Sequence, residues 1–140
     1  MLVKPGEKLA LLMHNTLLKD LQSENTFTKI ISLTMIRYFL NEDLIKDATI
    51  FVRKLLKDPL GAIRRKSFLA MFNIYQLQPR EVEDIKEIAI QALNDTDVPV
   101  IFAGLTILKF LISFDPISFK QITPKLVEIF EKILDHKYPP

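Results

Sequence analysis

The feature that most constrains the fold is the stretch Leu55–Tyr75, with Leu55-Leu-Lys-Asp-Pro-Leu-Gly-Ala-Ile-Arg-Arg-Lys-Ser-Phe-Leu-Ala-Met-Phe72 at its centre. It reads as the end of one helix, a tight turn, and a second helix running back. Asp58-Pro59 ends the first helix, because proline disfavours helical geometry in the residue before it. Leu60-Gly61 completes the turn. From Ile63 onward, Ile63, Ser67, Ala70, Met71 and Ile74 share one face at helical spacing. A second stripe, Phe68, Phe72 and Tyr75, lies beside it. A helix apolar on two sides has to sit between neighbours.

The unit recurs. Leu21-Gln-Ser-Glu-Asn-Thr-Phe-Thr28, Leu56-Lys-Asp-Pro-Leu-Gly-Ala-Ile63 and Leu93-Asn-Asp-Thr-Asp-Val-Pro-Val100 share a frame. Leu21 to Leu56 is 35 residues, and Leu56 to Leu93 is 37. In that frame Ser23, Asp58 and Asp95 coincide as candidate helix caps. Ser32, Ser67 and Gly104 coincide as small residues that let helices approach, each followed by an apolar residue, Leu33, Phe68 or Leu105. A period of this size with two helices per unit predicts an all-α fold: a right-handed alpha-alpha solenoid of HEAT- or armadillo-like repeats, with about seven helices. Chance alignment of amphipathic helices is the competing explanation. The joint recurrence of cap, small residue and apolar residue favours the repeat.

Taken in order, the first helix is predicted over Glu7–Gln22, with Leu9, Leu12 or Met13, Leu17 and Leu21 inward. The second covers Thr26–Leu40, packing through Ile30, Ile31, Leu33, Met35 and Ile36. Asn41 can cap the third, whose inward residues are Leu44, Ile45, Ala48, Val52, Leu55 and Leu56, and which runs to about Lys57. The opening stretch supplies the fourth. Pro79 suits the first position of a fifth helix, where no amide donor is needed. Val82, Ile85, Ala89, Ala92 and Leu93 form its buried face, and Glu81, Glu83 and Asp84 complement its dipole. The sixth spans Pro99–Phe114, and Asp115-Pro116 ends it in a short helical turn. Thr123-Pro124 begins the last helix, with Leu126, Ile129, Phe130, Ile133 and Leu134 as its apolar stripe.

Composition removes several function classes. The net charge of +2 argues for no particular polyanion, and the absence of cysteine removes disulfides and thiolate chemistry. The start, Met1-Leu-Val-Lys-Pro-Gly6, has no apolar core of signal-peptide length. The most apolar run, Val98–Phe114, is short for a bilayer span, and Thr106, Lys109 and Ser113 put a polar stripe on it. It reads as a buried solenoid helix. The ending Tyr138-Pro-Pro140 has no polar closing unit of the kind solenoids need, so a segment of a longer protein is expected.

Nothing gathers for catalysis, metal or cofactor binding. His14 and His136 are far apart, and neither has a metal partner at ligand spacing. The glycines are isolated, so no phosphate loop exists. Glu83 and Asp84 fit a solvated helix start better than a carboxylate dyad. The charged feature that stands out is basic: Arg53, Lys54 and Lys57 before the turn, and Arg64, Arg65 and Lys66 after it. Arg64, Arg65 and Lys66 are candidates for an anionic contact, either a lipid head group or an acidic partner. The competing reading has an early arginine bonding turn carbonyls or an aspartate of the adjacent repeat. Nucleic acid is disfavoured by the acidic neighbours Asp47 and Asp58 and by the lack of an aromatic platform.

Four blocks carry a family resemblance: Asn15-Thr-Leu-Leu-Lys-Asp-Leu-Gln-Ser-Glu-Asn25, Ile63-Arg-Arg-Lys-Ser-Phe-Leu-Ala70, Leu93-Asn-Asp-Thr-Asp-Val-Pro-Val100 and Pro124-Lys-Leu-Val-Glu-Ile129. In order and spacing they resemble the N-terminal trunk of the large adaptins, subunits of clathrin-type adaptor-protein complexes. The first two blocks are nearest the epsilon type of the fourth complex, with the gamma type next. The resemblance covers nearly the whole chain. It implies a HEAT-like trunk segment over residues 1–140, no enzymatic activity, no cofactor, and a heterotetramer with the other adaptor-complex subunits. It also implies cytoplasmic, peripheral residence on trans-Golgi or endosomal membranes and coated vesicles, and a role in vesicle-mediated protein transport. In gamma-type trunks part of an Arf-type GTPase contact falls on the helix matching Leu11–Asn15, which makes Leu12 the candidate partner-binding residue. The chain departs from that pattern at Lys4-Pro-Gly6. A free-standing HEAT-repeat scaffold or transport receptor is the alternative, and a helical regulatory domain of an enzyme is a third.

Overall fold

The computed structural model describes residues 5–38 and 41–137; among these the secondary structure is entirely helical. Seven α-helices follow one another: α1 (Pro5–Leu21), α2 (Thr26–Met35), α3 (Glu42–Leu55), α4 (Gly61–Leu77), α5 (Ile85–Leu93), α6 (Val98–Phe114) and α7 (Thr123–Lys137). Single 3-10 segments lie at Ile36–Tyr38, Pro79–Val82 and Ile117–Ile122. The chain divides into two compact units, Met1–Ile85 and Lys86–Pro140.

In the first unit α4 packs against both α2 and α3, and α1 packs against α2 and α3. The short turns joining consecutive helices make them antiparallel neighbours. Both stripes of α4 are covered, as its sequence requires. Ile63, Ser67, Ala70, Met71 and Ile74 are buried, as are Phe68 (1% exposed) and Phe72; Tyr75 is half-buried. The predicted inward face of α3 is buried in full. Asn41 caps α3 as expected, its side chain accepting from the Asp43 and Leu44 amides at 2.8 and 3.3 Å.

The repeat frame is physically real, although its polar residue acts one step earlier than expected. Ser23, Asp58 and Asp95 are not the N-caps. Each accepts a hydrogen bond from the amide two residues on: Asn25 at 3.0 Å, Leu60 at 2.9 Å and Asp97 at 2.8 Å. These are side-chain-closed turns, and they deliver Asn25, Leu60 and Asp97 to the N-cap position. Only Asn25 then caps with its own side chain, to Thr28 N–H at 3.0 Å.

The frame's small residues are all buried. Ser32 and Ser67 turn their hydroxyls onto their own helices, donating to the Thr28 and Ile63 carbonyls at 2.8 and 2.7 Å. Gly104 marks the closest approach. A Cβ there would lie 2.8 Å from the Ala92 Cβ and 3.0 Å from the Ala89 carbonyl oxygen. In α6 the apolar face is buried and Thr106, Lys109 and Ser113 are exposed, as the pattern predicts. No described helix is long and apolar enough to cross a membrane.

Three expectations need correction. First, Leu9, Leu12 and Met13 on α1, Ile31 and Met35 on α2, and Phe130 on α7 are exposed instead of inward. Of the α1 stripe Leu17 and Leu21 are buried, while Leu12 and Met13 border an open groove shared with Ile31 and Met35 of α2. Second, α2 gives way to a 3-10 turn at Ile36; Leu40 lies outside the described residues. Third, Pro79 opens a 3-10 turn, and α5 begins only at Ile85. The interruption coincides with Arg53, whose guanidinium donates to the Asp84 carboxylate and to the Glu81 carbonyl. The side chains of Ile133, Leu134 and His136, and the residues Tyr138–Pro140, lie outside the described set.

Candidate interaction surfaces

The candidate partner-binding residue Leu12 is 63% exposed on α1. It borders an open groove of about 270 Å³ between α1 and α2, whose apolar walls are Leu12, Met13, Leu17, Ile31 and Met35. Two methionines make such a wall adaptable, since an unbranched thioether repacks around irregular shapes. The spacing 27, 31, 35 continues the apolar line of α2 with Phe27, which is also exposed. By helical spacing Leu12 or Met13, Leu17, Ile31 and Met35 are expected to point inward. Periodicity reports that a helix has an apolar face; it does not report whether anything covers it.

A hydrogen-bonding contact ties α1 to α3: His14 Nε2 stands 3.2 Å from Asp47 Oδ2. His14 is therefore not an isolated surface residue. No cluster of metal-ligating side chains is present among the described residues.

The basic cluster resolves into two populations. Arg53 forms a two-pronged pair with Asp84 at 2.8 and 2.7 Å. The hydrogen bonds from Arg53 hold the Asp84 carboxyl below the usual carboxylate range, against partial desolvation, and Arg53 is raised in return. Arg64 donates from Nη1 to the Asp58 and Pro59 carbonyls, both at 2.9 Å. That is the turn-bonding role open to an arginine early in a second helix. Asp58 is itself matched by Lys29 Nζ at 3.3 Å, with both side chains largely buried. Lys29 holds the frame position of Arg64, one repeat earlier. Lys54, Lys57 and Arg65 remain exposed and Lys66 is half-buried; none of the four makes an ion pair among the described residues. Lys54 rests its ammonium 5.5 Å from the Phe51 ring centre. The cluster named Arg64 and Arg65 as equivalents, and the structure separates them.

Turns that recur at repeat spacing, helices packed on one another and a groove with apolar walls define a helical-repeat protein. The family model for the adaptin N terminal region matches residues 1–139, and the chain belongs to that family. Its fold is the all-α helical solenoid of that domain. AP-4 complex subunit epsilon-1 of Mus musculus is 31% identical over 134 residues, which cover 96% of this chain and 12% of that protein. AP-4 complex subunit epsilon of Arabidopsis thaliana is 30% identical over 131 residues, covering 94% of this chain and 14% of its own length. AP-3 complex subunit delta of Saccharomyces cerevisiae is 27% identical over 128 residues, with 89% and 14% covered. The chain thus spans 12 to 14% of the length of these relatives.

Proposed function

We propose that this chain is a non-catalytic scaffold segment of the trunk of an adaptor-complex large subunit, acting in vesicle-mediated protein transport. The observation that carries the reading is the family match along residues 1–139, joined by relatives that are themselves named as AP-complex subunits. Its partners are the other subunits of the heterotetramer, and its place is the cytoplasmic face of trans-Golgi or endosomal membranes. Leu12 and the groove beside it are the contact for a protein partner, with an Arf-type GTPase as the candidate the resemblance supplies. An exposed apolar groove supports this: surfaces of that kind on soluble domains mark interaction sites.

The deciding experiment is affinity purification of the tagged chain from its own cells at physiological salt. Recovery of medium and small adaptor chains in stable proportion supports the proposal. Their absence from a preparation that holds folded protein refutes it and favours a free-standing helical scaffold. Loading a purified Arf-type GTPase with a GTP analogue then tests the groove: Leu12→Asp should abolish binding while the subunit contacts survive.

A further inference from the structure

The exposed cations around the α3–α4 turn make no ion pair among the described residues, and the adaptor reading does not use them. Subtraction shows what they are available for. Arg53 is consumed by Asp84, and Arg64 by the carbonyls of its own turn. Two acids bonded to residues of this region are engaged as well: Asp84 by Arg53, and Asp58 by Lys29 and by the Leu60 amide. What remains at the surface is Lys54 and Lys57 at the end of α3, Arg65 in the first turns of α4, and no uncommitted carboxylate between them in sequence. At the apex stands Leu60, 45% exposed, flanked by exposed Pro59 and Ala62.

We propose that this turn is a contact for an anionic membrane surface, with Lys54, Lys57 and Arg65 meeting lipid phosphates and Leu60 entering the interface. Basic side chains are drawn to anionic leaflets at about 1 kcal/mol each, which is roughly fivefold in affinity per residue. An apolar tip between cations adds burial at the boundary between headgroups and acyl chains, as it does for interfacial helices. An anionic leaflet offers phosphates to the cations and an apolar boundary to the exposed Leu60 in the turn between them. Lys54 and Lys57 take the place of Arg64, whose guanidinium is engaged by the carbonyls of its own turn. The membrane contact does not depend on the adaptor reading, and a vesicle assay can fail while subunit co-purification succeeds.

The test is co-sedimentation of the full chain with phosphatidylcholine vesicles containing about 30 mol% phosphatidylserine, against pure phosphatidylcholine. Binding to the anionic vesicles alone is expected, falling as salt shortens the screening length. Lys57→Glu with Arg65→Glu should weaken it roughly tenfold or more, whereas the same charge change at exposed Lys109 and Lys120 should cost less than about twofold. Leu60→Ser should weaken binding and leave its salt dependence unchanged. Helical circular dichroism and thermal melting confirm that each variant is folded. Equal losses from the two charge-reversal pairs would overturn the proposal. So would binding to soluble poly-glutamate with none to the vesicles.

Discussion

The Asp58 carboxylate accepts the Leu60 amide at 2.9 Å and, through its other oxygen, meets the Lys29 ammonium at 3.3 Å. One side chain therefore closes the turn of its own repeat and ties it to the helix of the repeat before. Ser23 and Asp95 perform the turn-closing half of this task at the equivalent positions. The repeat is thus a mechanical unit: a polar residue folds the turn, the second helix starts three residues later, and a small residue further on lets that helix settle against its neighbour.

Because Asp58 has two separable jobs, two substitutions should separate them. Asp58→Asn keeps an oxygen for the Leu60 amide and leaves Lys29 without its counter-charge. Asp58→Ala loses both. Losing a capping-type bond costs about 1 kcal/mol, and stranding one member of a largely buried pair costs more, up to about 3 kcal/mol. Urea denaturation should therefore rank wild type above Asn and Asn above Ala. In the Lys29→Met background the Asn substitution should become nearly neutral.

Gly104 makes a prediction that helix propensity alone would get backwards. Alanine is favoured over glycine inside a helix by about 1 kcal/mol. Here its Cβ would fall 2.8 Å from the Ala92 Cβ and 3.0 Å from a backbone oxygen. Neither neighbour is the tip of a flexible chain. Overpacking of this kind costs about 1–3 kcal/mol, so Gly104→Ala should be net destabilising and Gly104→Val much more so. Ala92→Gly should rescue part of the loss in the double mutant, and a thermal-melt double-mutant cycle reads that coupling directly.

These positions also show how far the sequence could be read. The stripes of α3 and α4 were legible because their apolar residues recur at helical spacing and are all covered. Ser32, Ser67 and Gly104 were legible because they recur in register. The polar pairs were only partly so. The basic residues could be grouped, but Arg53 and Asp84 are 31 residues apart, and nothing local records that one reaches the other. That same pair hides the break between Pro79 and Ile85, which by composition looks like one helix start. The α1–α2 groove was read as core because Leu12, Met13, Ile31 and Met35 carry the apolar pattern of a core. Whether a face is covered depends on neighbours that the pattern does not contain.

The Arg53–Asp84 pair should leave a signature in pH. The carboxyl is depressed in the folded state relative to its ordinary value of 3.8, so its contribution is fully present above that value. It is lost as pH falls through the lower folded value. The side chains are 37% and 46% exposed, so screening keeps the contribution below about 1 kcal/mol. Asp84→Asn should be slightly less stable than wild type at neutral pH. The gap should close as the medium is taken below pH 4, roughly the ordinary carboxylate value. Paired urea titrations across that range measure it, and high salt should narrow the gap at neutral pH.

The exposed and buried apolar residues should respond in opposite ways. Phe68, almost fully enclosed, should cost about 3–5 kcal/mol when cut to alanine. Leu12 and Ile31 face the open groove, so Leu12→Gln with Ile31→Gln should change stability by no more than about 0.5 kcal/mol for each residue. Their effect should appear in association. An uncovered apolar face drives contact between copies when nothing else occupies it, so the purified chain should show a mass that rises with concentration in analytical ultracentrifugation. The double glutamine variant should shift that rise to higher concentration while its melting curve stays where it was. A wild-type chain that remains strictly monomeric across the accessible range would mean that this groove is too weakly apolar to recruit a partner, and the Leu12 contact would lose its physical basis.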